Sequence, residues 1–110
     1  MTDLEEVEIQ IKMAREMIAL RDSYVKLSAN KHFKDVIETG YFKEEAARLV
    51  MAKSASLTEE QQAKIDGMIM GVGALANYFD MIMRRGYEME TALGEHEQTR
   101  EEILAEEASS

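Results

Sequence analysis

Cysteine, proline and tryptophan are absent from this chain, histidine occurs twice, and the aromatic side chains are four tyrosines and three phenylalanines. Without cysteine there is no disulfide, no zinc finger and no thiol nucleophile. Without proline, no point along the chain is barred from a helix. No stretch approaches the roughly 18 uninterrupted apolar residues of a membrane span, and the opening MTDLEEVEIQ lacks the basic-then-apolar order of a secretory signal. Positive charge is also scarce. Against 13 lysines and arginines stand 22 aspartates and glutamates, for a formal net charge of -9. Such a surface repels phosphate backbones and anionic lipid heads, so direct nucleic-acid or membrane binding is disfavoured.

What is present is helical texture. Apolar residues make up 45% of the 110 positions and charged residues 32%, too apolar for a disordered chain and suited to one small domain of amphipathic helices. Thr2-Asp3-Leu4-Glu5 has the spacing of a capping box, which predicts a first helix from there to about Leu27. Met13, Met17, Leu20, Tyr24 and Leu27 recur at helical spacing, with Ile11, Ile18 and Val25 widening the stripe. That stripe is the expected core face.

Ser28-Ala29-Asn30 is turn-forming punctuation. A short helix is expected from about Lys31 to Thr39, stopped by Gly40 in a left-handed conformation, and a third from Tyr41-Phe42 to about Ser54. Thr58-Glu59-Glu60-Gln61 repeats the capping box and opens a very long helix reaching about Glu107. Along it Ile65, Met68, Val72, Leu75, Phe79, Ile82, Met89 and Leu93 keep the three-four spacing of a seam, and Gly86 fills the one empty register. The expected fold class is all-α: an antiparallel helical bundle of a long N-terminal helix and a very long C-terminal helix, with two short helices between them. One helical domain is expected over 1–94, and an acidic helical or frayed tail over 95–110.

The long helix carries the candidate site. Gly67, Gly71 and Gly73 each cost about 1 kcal/mol of helix propensity relative to alanine, and close helix approach is what offsets such a loss. They make room either for bulky residues of the first helix, such as Tyr24 or Met17, or for another subunit. Met70, Met81 and Met83 lie partly off the seam and supply flexible apolar surface that repacks around varied partners, unless they merely fill gaps in the core. Arg84 and Arg85, the basic pair in that helix, are placed to receive an acidic segment or to bridge a local carboxylate such as Glu88. Gly67, Met70, Gly71, Gly73, Met81, Met83, Arg84 and Arg85 together form the expected interface.

Catalytic and metal constellations are lacking. A helical di-iron site needs a glutamate three residues before its histidine, and Leu93 precedes His96 as Ala29 precedes His32. Neighbouring glutamates such as Glu101-Glu102 point about 100° apart on a helix, which suits a solvated face and not an acid-base dyad. No glycine-rich phosphate loop and no nucleophile elbow occurs. The expectation is a protein that is not an enzyme, with no metal and no cofactor, that binds another protein or itself as a homo-oligomer.

The runs EVEIQIKMAREMIALRDSYVKL and HFKDVIETGYFKEEAARLV, then a TEEQQ-initiated helix with GVGAL, YF and EMETAL, span about Glu5 to Glu107. In them the chain resembles small acidic all-helical accessory proteins of tailed bacteriophages. The resemblance implies a phage-encoded protein working by protein contacts in virion assembly or structure, in the host cytoplasm or the virion. It also leaves open an acidic inhibitor, or DNA mimic, that occupies a host protein.

Overall fold

The structure, a computed structural model, describes residues 1–110. The chain is all-helical, with no strand: α1 (Asp3–Ser28), α2 (Lys31–Phe33), a π-helix (Lys34–Glu45), α3 (Ala46–Ala52) and a long C-terminal α4 (Glu59–Ser109). Local chemistry sets the starts. The Glu5 N–H donates to Thr2 Oγ1 at 3.1 Å. At α4 the capping box is reciprocal: the Gln61 N–H donates to Thr58 Oγ1 at 3.1 Å and the Thr58 N–H to Gln61 Oε1 at 3.0 Å. Asn30 caps α2, its Oδ1 accepting from the amides of His32 and Phe33. The acidic end of α4 stays helical through Ser109.

Two expectations fail here. Two short helices separated by a glycine stop are not seen. From Lys31 to Ala52 the backbone is one helical run, α2, the π-helix and α3 in direct succession, and no glycine has a positive φ. Gly40 serves a different purpose. A Cβ there would lie 3.0 Å from the Asp35 carbonyl oxygen, so glycine permits close backbone approach inside the wide turn instead of ending a helix. The π geometry has a visible product. On a turn of about 3.6 residues Phe33 and Phe42 would face opposite ways, yet both rings stand edge-on to Phe79, at 5.7 and 6.1 Å. The wider i→i+5 turn brings them to one side.

The second correction concerns α1. Its buried residues are Val7, Ile11, Ala14 and Arg21, with Leu4 and Ile18 half-buried at the intervening turns. The stripe expected to be core is only partly so: Ile11 is buried and Met17, Ile18 and Tyr24 half-buried, whereas Met13 is 60% and Leu20 42% exposed, and Val25 and Leu27 are exposed too. Both stripes have helical spacing, and the buried one takes in Ala14 and Arg21 while Met13 and Leu20 stay exposed. The α4 seam fares better. Val72, Ile82 and Gly86 are buried and Ile65, Leu75, Phe79, Met89 and Leu93 half-buried, although Met68 is 43% exposed.

The chain divides into two compact units, one of Met1–Tyr24 with Met81–Ser110, the other of Val25–Asp80. Within the first, residues early in α1 meet residues late in α4. Arg15 donates to Glu97 at 3.2 Å, Arg21 pairs with Glu90, and Leu4 shares a crevice with Ile103. The second unit packs the run of Lys31 to Ala52 on its own stretch of α4 through the Phe79 cluster, buried Leu49 and Val72, and a Lys53–Asp66 ion pair of 2.8 Å.

Candidate functional site

The eight residues of the expected interface fall four in each unit, Gly67, Met70, Gly71 and Gly73 in the second and Met81, Met83, Arg84 and Arg85 in the first. In the second unit Gly67 and Gly71, one turn apart, share the outward face of α4 with Ala63, Ala74 and Tyr78, which flank them at helical spacing. Met70 borders that face and is 74% exposed. Gly73 is exposed but lies about 200° around the helix from Gly71. A Cβ at Gly67 or Gly73 would meet open space, and at Gly71 only the Tyr41 hydroxyl, 3.7 Å away. In the first unit Met81 and Met83 are half-buried, while Arg84 and Arg85 are exposed. The two arginines form no ion pair, so the expected bridge to Glu88 is not made.

Beside the glycine face, within the second unit, runs an open groove of about 720 Å³, lined chiefly by Val36, Ile37, Tyr41, Leu49, Met68 and Gly71. It follows the π-helix, a geometry frequent at functional sites, and its lining is mostly apolar. The polar exceptions are Glu45 and Arg48, which form an ion pair one turn apart. Hydrogen bonding to Arg48 holds the Glu45 carboxyl below its ordinary pKa, and the same bond raises that of Arg48. The groove therefore has an apolar floor and one zwitterionic edge.

Sequence reasoning missed the most constrained polar group of the first unit. Arg21 occupies the buried seam of α1 and is 6% exposed. Its guanidinium bonds the carboxylates of Glu90 and Asp22, the latter at 2.9 Å, and lies 4.8 Å from the centre of the Tyr87 ring. Hydrogen bonding to Glu90, then to Asp22, raises its pKa against the opposing effect of burial. Nη1 is buried without a partner. Gly86 makes the space, since a Cβ there would overlap Cβ and Cγ of Arg21. The one trace of it in the sequence is the vacant seam register at Gly86, which does not by itself say which side chain fills it.

Charge separates the units as well. The first carries fourteen acidic and six basic side chains, net -8, and the second eight and seven, net -1, which add to the -9 of the chain. No three histidine, cysteine, aspartate or glutamate side chains group so as to hold a metal ion. No helix is long and apolar enough to cross a membrane. These features define an all-helical protein with an apolar groove in one unit and a buried arginine in the other. Set against protein-family models, curated proteins and solved structures, the chain matches none.

Proposed function

We propose that this is a non-enzymatic helical protein, phage-encoded, that acts through protein-protein contacts in virion assembly or structure, its two long helices forming an antiparallel bundle. The order of the α1–α4 pairs in the first unit supports the bundle. The observation that carries the functional reading is the outward face of α4 in the second unit, where Gly67, Gly71, Ala74 and Tyr78 lie open beside Met70. An interior glycine lowers helix propensity by about 1 kcal/mol, and no contact offsets that loss at Gly67. A second helix laid on Gly67 and Gly71 would. The near-zero charge of this unit does not oppose contact between two copies.

Sedimentation across a concentration series tests this. The native chain should associate, and Gly71→Glu with Met70→Glu should return it to monomer. A native chain that stays monomeric and is missing from phage particles and their assembly intermediates would sink the reading.

The alternative, an acidic inhibitor or DNA mimic, is favoured by one observation. Fourteen carboxylates belong to the first unit, and Glu101, Glu102, Glu106 and Glu107 stand on continuous helix, a rigid base that a mimic requires. Such a protein should displace DNA from a basic nucleic-acid-binding partner, with an affinity that falls steeply as salt rises.

A further inference from the structure

We propose that the outer face of α1 in the acidic unit, formed by Ile9, Met13, Met17 and Leu20, docks a basic amphipathic helix of another protein. This is a surface apart from the α4 face. It deepens the protein-contact reading by giving the chemistry of one partner.

Two stripes run along α1, and only one is used inside the chain. Val7, Ile11, Ala14 and Arg21 are buried, so what α1 needs for its own unit is already supplied. On the opposite side Ile9 is 45%, Met13 60% and Leu20 42% exposed, with Met17 half-buried between them. Steps of about four, four and three place these side chains along one line over roughly 16 Å of helix. That is the anchor pattern of helix-on-helix recognition, and two of the four are methionines, whose flexible thioethers conform to a neighbour.

The surrounding charge selects the occupant. Exposed Glu5, Glu6 and Glu16 flank the stripe, with Lys12 as the basic exception, and the unit as a whole is net -8. The same unit of a second copy laid on this face would set -8 against -8. Nucleic acid and anionic lipid are repelled in the same way. A neutral apolar helix would cover the stripe but leave the carboxylates without counter-charge. A helix with an apolar face edged by lysine or arginine answers both requirements.

The probe is a labelled synthetic peptide with leucines at heptad spacing and lysines elsewhere, paired with a scrambled peptide of the same composition. Fluorescence anisotropy should show the patterned peptide binding the full chain at least about tenfold more tightly than the scrambled one. Met13→Ser with Leu20→Ser should remove that preference, whereas Met70→Glu should leave it intact, so that failure of the α4 reading and failure of this one are told apart. Both substituted α1 side chains are exposed, and unchanged helicity by circular dichroism would establish that the double variant is folded. Equal binding of the two peptides overturns the proposal, because charge alone would then suffice. It is equally overturned if the double variant retains the preference, or if the double substitution abolishes self-association of the native chain, which would make a second copy the occupant.

Discussion

In the first unit a charged side chain is buried and the surface is acidic, whereas the second has almost balanced charge and packs an aromatic cluster; both leave apolar side chains exposed. Arg21 sits over Gly86, bonded to two carboxylates and stacked near Tyr87. Phe33, Phe42 and Phe79 cluster instead around a π-helix, with Val36, Met70 and Tyr78 left exposed nearby in sequence or on the same helix. The glycines of α4 differ in what surrounds them. Gly86 is there because another side chain needs its space, while Gly67 and Gly73 face open solvent. One residue type thus serves internal packing at Gly40 and Gly86 and leaves a surface open at Gly67, Gly73 and Gly94.

That contrast can be broken most forcefully in the second unit. Phe79→Ala should cost about 3 kcal/mol, read by urea denaturation, and native-state hydrogen exchange should place the loosening in Val25–Asp80. If amides of α1 before Tyr24 lose protection to the same degree, the division into units is not an energetic one. Gly86→Ala acts on the other side. Its Cβ overlaps Arg21, so stability should fall by about 1–3 kcal/mol. The same substitution at Gly67 or Gly73 should raise stability by about 0.5–1 kcal/mol, since both lie in helix with space around them. Opposite signs for one chemical change would sharpen the comparison, and a loss at all three sites would end it.

The smallest effect concerns Glu45. Its folded pKa is depressed by the hydrogen bond from Arg48, so its contribution to stability is present above the unfolded-state value and is lost as pH falls through the lowered folded value. Carboxyl-carbon NMR should find Glu45 titrating below the ordinary glutamate range, and Arg48→Gln should return it there. A Glu45 that titrates normally in the native chain would remove the zwitterionic edge from the groove.

Features fixed by neighbours along the chain are legible in the sequence alone. Thr2, Asn30 and the Thr58–Gln61 pair cap helices because hydroxyl or amide oxygen and free N–H lie a few residues apart. The all-helical class and most of the α4 seam follow in the same way from periodicity. The packed face of α1 is not legible there, because α1 carries two stripes of equal spacing. Methionine and leucine outrank alanine and arginine in hydrophobicity, yet Ala14 and Arg21 are the buried ones. Facing residues decide between the stripes, and a Gly86 slot is visible only when the two helices are considered together. Gly40 is recognisable as a special position, but its use inside a wide turn, close to the Asp35 carbonyl, is not marked by any pattern in the sequence. Of the α4 candidates in the second unit, Gly67 and Gly71 share one exposed face bordered by Met70, a grouping that helical spacing already gives, while Gly73 lies on another face.

The π-helix has an evolutionary consequence. Each i→i+5 turn spends more residues on a revolution than an α turn does, so Lys34–Glu45 holds a reserve of chain length. Deleting one residue from an ordinary helix swings everything beyond it by about 100°. Here one wide turn can tighten to absorb the loss and keep Leu49 facing inward. Insertions and deletions in related chains should therefore collect between Lys34 and Glu45, and be rare in α1 and α4.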